Sequence, residues 1–301
     1  MAPEQSGTEE HAPEDQAAEP QPLEPEKIHP SDILASPVEH AGIPPERIAA
    51  FFDVDNTIIR GASAFHLARG LYNRGFFSIR DLVIGAWHQW RYVVFGEDKD
   101  QINSIRQRAL NIIKGHTVAE VTAIGEEVYD QVLSLRIFPG TQKILDAHLS
   151  AGHQVWLITA TPIEIGDLIA RRLGATGSLG TIAEHKDGVY TGRMVGEMMH
   201  GESKAAGALE LAERLDLDMA HSYAYGDSEN DIPILSTVGH PCAINPEARL
   251  RRHAKDVGWP IREFRGKRRF AKKGVKTAGA AGAAWAVAQV FRSLRRAISG
   301  R

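Results

Sequence analysis

The stretch FFDVDNTII, residues 51–59, runs out of an apolar segment directly into two carboxylates, Asp53 and Asp55, with a hydroxyl following at Thr57. Two acids spaced i, i+2 repel, so both stay ionised only where a cation, hydrogen-bond donors or water compensates them. The preceding residues, IAAFF, are short, apolar and bounded upstream by Pro44-Pro45. That pattern predicts a fully buried strand with the acids at its carboxyl end.

From Ser63 to Leu135 the spacing of apolar residues stays near 3.6, predicting about four packed helices. After Pro139-Gly140 the rhythm alternates. TQKILDAHLSAG reads as helix, HQVWLITA as strand and PIEIGDLIARRLG as helix stopped at Gly174. A hairpin should turn at Lys186-Asp187-Gly188. ESKAAGALELAERL then reads as helix, HSYAYGD as strand, DIPILSTVG as helix and HPCAIN as the last strand. The expected fold is an α/β parallel sheet with a helical insertion after its first strand.

Ligands in such sheets gather at the carboxyl ends of strands. The predicted ends carry Asp53 and Asp55, Thr159, and Asp227. A hard cation such as Mg²⁺ takes oxygen ligands and typically one or two carboxylates plus substrate phosphate. Asp53 and Asp227 are candidates to hold it. Asp53 is then a candidate nucleophile toward phosphorus, Asp55 a candidate acid and base, and Lys204 and Thr159 candidates to offset charge on a transferring phosphoryl group.

DVDNT (53–57), LITAT (157–161), Lys204 in GESK and GDSEND (226–231) resemble, in order, the four motifs of haloacid dehalogenase (HAD) superfamily phosphatases. The resemblance spans roughly residues 46–262. With its insertion placed after the first motif, the chain is similar to subfamily IB, which contains the phosphoserine phosphatases. The resemblance implies a Rossmannoid core with a C1-type cap and chemistry through an aspartyl-phosphate. It implies Asp53 as nucleophile and Mg²⁺ ligand, and Asp55 as acid and base with its backbone carbonyl on the metal. Asp227 would complete the metal site and Asp231 support it, while Thr159, Ala160, Lys204 and Asn230 hold phosphate. Two departures stand out: Ala62 and Ser63 occupy the region where phosphoserine phosphatases carry a glutamate for the substrate's amino group, and Thr161-Pro162 stand where they tend to have glycines. A cap arginine for a substrate carboxylate is open among Arg91, Arg106 and Arg108.

The expected organisation is an acidic tail over 1–44, a core over 45–62 and 137–262, a cap over 63–136 and a basic tail over 263–301. The first forty residues hold ten acids against Lys27, with seven prolines and no aromatics, which predicts disorder. They lack the pattern of a secretory signal, and the single Cys242 excludes an intrachain disulfide. A cytoplasmic body is therefore expected. IREFRGKRRFAKKGVK, residues 261–276, carries eight cations and one anion within a chain of net charge −3. Three readings of this tail stay open: a disordered segment, an interfacial helix on the anionic inner face of the membrane, or a membrane anchor. It lacks interleaved stacking aromatics, so no nucleic-acid partner is expected. His66, His116, His153 and His200 show no metal spacing, and Trp87 and Trp90 fit cap core.

The expected activity is Mg²⁺-dependent hydrolysis of a small phosphomonoester, phosphoserine first and a phospholipid-related ester or lysophosphatidate second. The contrasting expectation is a membrane-docked protein of this fold without turnover.

Overall fold

The computed structural model describes residues 42–76 and 110–265. The acidic head, the stretch around Trp87 and Trp90, Arg91, Arg106 and Arg108, and the basic tail beyond Arg265 lie outside the described residues.

Seven strands form one sheet in the order β4-β3-β2-β1-β5-β6-β7. They are β1 (Ala49–Asp53), β2 (Gln154–Pro162), β3 (Gly177–Lys186), β4 (Val189–Val195), β5 (Tyr223–Gly226), β6 (His240–Ile244) and β7 (Ile261–Arg262). All neighbours pair in parallel except the β3–β4 hairpin. That hairpin turns where predicted, at Asp187 and Gly188, which both take positive φ (52° and 76°) as a tight two-residue hairpin requires.

The first strand is apolar without alternation because it is covered on both faces. Ala50 and Phe52 enter one core cluster with Val155, Leu157 and Tyr225; Ala49 and Phe51 enter the other with Ala208, Leu211 and Ala224. The chain leaves β1 toward β2 on one side and later returns to β5 on the other. Strand order therefore reverses at β1, the place where open α/β sheets leave a ligand crevice.

The described helices are α1 (Ser63–Asn73), α2 (Val118–Val128), α3 (Pro139–Ser150), α4 (Ile163–Leu173), α5 (Glu202–Leu215), α6 (Ile232–Leu235) and α7 (Ala248–Val257). α2 begins with a full capping box, Thr117 and Glu120 each accepting the other's backbone N–H. α4 ends at Gly174 with φ of 71°, as read from the sequence.

Two sequence expectations need correction. HPCAIN is not the last element, since α7 and β7 follow it. α7 is rich in charge and buries only Leu250 and Ala254; β7 has two residues. The helix expected over DIPILSTVG also shrinks to Ile232–Leu235 after a short 3₁₀ turn at Glu229–Asp231.

Candidate functional site

The register explains the convergence. Asp53 ends β1 opposite Ile158 of β2, so Thr159 is the next residue out on one side; Phe52 pairs with Tyr225 on the other, so Gly226 and Asp227 follow. α5 brings Lys204, in its first turn, to Asp53 at the same edge.

Lys204 is the electrostatic hub. Its Nζ donates to Asp53 Oδ1 and to Asp231 Oδ1, both at 2.6 Å, and its side chain is only 5% exposed. Asp231 is braced on its other oxygen, which accepts from the Asp227 and Ser228 amides at 3.1 and 3.0 Å and from the Ser228 hydroxyl at 3.0 Å. Carboxylate oxygens of Asp53, Asp227 and Asp231 lie within 4.8 Å of one another.

Burial lifts Asp53 well above the usual carboxylate range; Lys204 opposes this, while Asp231, Asp55 and Asp227 add to it. Burial and then the neighbouring Asp231 push Asp227 up to about 7. Burial would lower Lys204, but the facing Asp53 and Asp231 outweigh it and hold the ammonium firmly charged. A buried group of three acids around one lysine is short of positive charge. Its all-oxygen donor set fits a hard divalent cation, with Asp53 and Asp227 as the better ligands, because each has one oxygen bonded to a cation, Lys204 or Arg265, whereas both oxygens of Asp231 are engaged.

Asp55 is set apart from this cluster. Its Oδ1 accepts the Ser63 amide at 2.8 Å, from the first residue of α1. The loop between them is tightly wound: Ile58 and Ile59 both donate to the Val54 carbonyl, and Asn56 takes a φ of 61°. Burial raises Asp55, with hydrogen bonding from Ser63 pulling back. Raised in this way, it is suited to carry a proton to a leaving oxygen.

Thr159 is buried, and its hydroxyl is bonded to that of Thr161 at 3.0 Å. Ala160 and Asn230 lie half-buried at the same sheet edge, on β2 and the 3₁₀ turn. Among the expected non-ligand histidines, His153 packs in the interior against His148, with ring nitrogens 2.9 Å apart.

Two residues here were not singled out by sequence. Asn245, buried with φ of 48°, donates to the Asn56 carbonyl at 3.1 Å and accepts the Phe264 and Arg265 amides at 2.7 and 3.0 Å. It ties the chain's exit to the loop behind Asp53. Arg265 then reaches Asp227 at 3.2 Å. The signal for Asn245 was a polar residue closing an apolar strand; Arg265 was hidden in a basic run.

Gly226 carries a prediction. A Cβ there would stand 2.5 Å from Asp231 Cβ and 2.8 Å from its Oδ2. Gly226→Ala should push Asp231 off Lys204 and lower turnover about 10²-fold, since a displacement near 1 Å has that effect in a tuned site. Steady-state assays on the folded variant check this; wild-type turnover would show that the brace is dispensable.

A model of the haloacid dehalogenase-like hydrolases matches residues 50–236. The chain is 47% identical over 269 residues to "Phosphoserine phosphatase SerB1" of Mycobacterium tuberculosis (strain H37Rv), covering 87% of each. It is 28% identical to "Histidinol-phosphatase" of Neisseria meningitidis serogroup C, over 72% of this chain and 98% of that one. A solved structure from Bordetella pertussis Tohama I, described as a protein with unknown function, superposes with a TM-score of 0.64 at 28% identity, over 72% of this chain and 99% of that chain.

Proposed function

Because the chain belongs to the haloacid dehalogenase-like hydrolases, we propose that it is a Mg²⁺-dependent phosphomonoester hydrolase working through an aspartyl-phosphate on Asp53. The observation that carries this reading is Lys204 held between Asp53 and Asp231 at the sheet edge, with Asp227 beside them and Asp55 turned to a separate post.

Asp53 attacks phosphorus, forming an Oδ–P bond as the ester oxygen leaves. That oxygen takes its proton from Asp55. Asp55 then takes a proton from water, whose oxygen attacks the acyl phosphate, releasing inorganic phosphate and restoring Asp53. Lys204 offsets the charge of the transferring group, with Thr159, the Ala160 backbone and Asn230 placed along the same edge to hold its oxygens. Bound Mg²⁺, held by Asp53, Asp227 and the Asp55 carbonyl and supported by Asp231, would neutralise further phosphoryl charge. We assign residues 63–136 as the cap that selects the substrate.

The names of the relatives give phosphoserine and histidinol phosphate as esters to try. No helix among the described residues is long and apolar enough to cross a membrane.

The test is phosphate release from p-nitrophenyl phosphate and from phosphoserine, with Mg²⁺ or with EDTA. Turnover in Mg²⁺ should fall to background in EDTA and return when Mg²⁺ is restored. An undiminished rate in EDTA would sink the metal requirement, and folded protein inactive on every ester would sink the reading.

A further inference from the structure

The two faces of α1 differ in chemistry. Ala64, Leu67, Ala68 and Leu71, spaced i, i+3, i+4, i+7, share one face and line a cavity of about 160 Å³ that opens on Asp55. The opposite wall brings Leu110, Ile113, Met194 and Met198. Its two threonines are already engaged. The Thr181 hydroxyl donates to the Ala160 carbonyl at 2.9 Å and accepts the Met199 amide at 3.2 Å, while Thr161 is bonded to Thr159. Among the described residues, Asp55 is the one charged group in this wall.

The cations of α1 face elsewhere. Arg69 and Arg74, with Arg60 and Arg136, line a separate cavity on the other side of the helix. His66 shares that cavity; burial, then Arg136 and Arg69, hold its imidazole below the usual range against the pull of Asp55, so it is a weak cation at neutral pH.

Since Asp55 hands its proton to the leaving oxygen, the apolar cavity is where the alcohol sits. Among the described residues this wall carries no cation, so a serine leaving group would set its carboxylate against carbon there, losing hydration without a partner. Resting on the phosphatase reading above, we propose that the preferred substrates are monoesters of an apolar alcohol, with a single ring or short alkyl chain as the body. The size fits, because apolar cavities of about 150 Å³ hold benzene.

The experiment compares kcat/KM for ethyl, n-propyl and n-pentyl phosphate and phosphoserine, using the full chain with Mg²⁺ and p-nitrophenyl phosphate as the control for chemistry. The rate constant should rise about fourfold per methylene, on the order of 50-fold from ethyl to pentyl. Phosphoserine should run no faster than ethyl phosphate. Met198→Lys, which brings a cation to the half-buried rim, should cut the pentyl-to-ethyl ratio at least about fivefold. A flat chain-length series, or phosphoserine preferred over pentyl phosphate, overturns the inference while turnover of the aryl ester leaves the phosphatase reading standing. Folded protein that hydrolyses none of the esters overturns both.

Discussion

Asp53→Asn is expected to abolish phosphate release, by at least about 10⁴-fold, while leaving the fold intact and the metal-free protein no less stable. The amide nitrogen and neutral oxygen cannot form the acyl phosphate, and losses of this size are typical when a covalent nucleophile is removed. The stability result follows from electrostatics. Asp53 sits at the end of a strand buried on both faces, and burial together with three nearby acids lifts it despite Lys204. A carboxyl with a raised folded value costs stability once ionised, and that cost is absent in acid and grows as pH rises above the ordinary carboxylate range. The Asn variant should therefore gain on the native protein near neutral pH in EDTA, with the difference closing toward pH ~4. Phosphate assays and melting curves at the two pH values measure both halves. Residual turnover within tenfold of native would remove Asp53 from the nucleophile's role.

Lys204→Met should do two kinds of damage at once. Lys204 is the cation shared by Asp53 and Asp231 at 2.6 Å, and both carboxylates are nearly sealed from water. Without it the transferring phosphoryl group loses a preorganised positive charge, worth about 10²- to 10³-fold in turnover. Removing one partner of a buried ion pair also leaves uncompensated charge, at about 3–5 kcal/mol. For a protein of this size that corresponds to a melting point lower by roughly 6–15 °C. Lys204→Arg should not restore activity, because the planar, longer guanidinium cannot bridge the two oxygens from the same helix turn. A Met variant that melts with the native protein would mean that proton uptake by Asp53 absorbs the loss.

Most of this architecture could be read from the chain because its signals are local. The unbroken apolar run before Asp53 marks a doubly covered strand, Asp187-Gly188 marks a hairpin and Gly174 a helix end. The convergence of Asp53, Asp55, Thr159 and Asp227 was legible because each follows an apolar strand, and Lys204 lies in the first turn of a helix. What escaped is the work of long-range packing. α7 buries only two side chains in a run rich in Arg and Lys, and β7 is two residues that pair with β6. Asn245 acquires its role from three backbone partners at residues 56, 264 and 265, which no spacing rule connects. The division of α1 into an apolar and a cationic face is visible in the sequence once drawn as a helix, but which face looks at Asp55 depends on the wound loop at 56–61.

The burial of β1 on both faces has a dynamic side. Local opening of a fold draws on segments with few buried contacts, and the centre of a parallel sheet opens only when the whole domain does. Asp53, the proposed nucleophile, is thus mounted on a central strand covered on both faces, and breathing of that strand is not a route for substrate. Access is expected through the cavity that lies between α1 and the carboxyl end of β2. Chemical precision and substrate entry are in this way drawn from opposite ends of the molecule's distribution of local stabilities, so either can change without loosening the other.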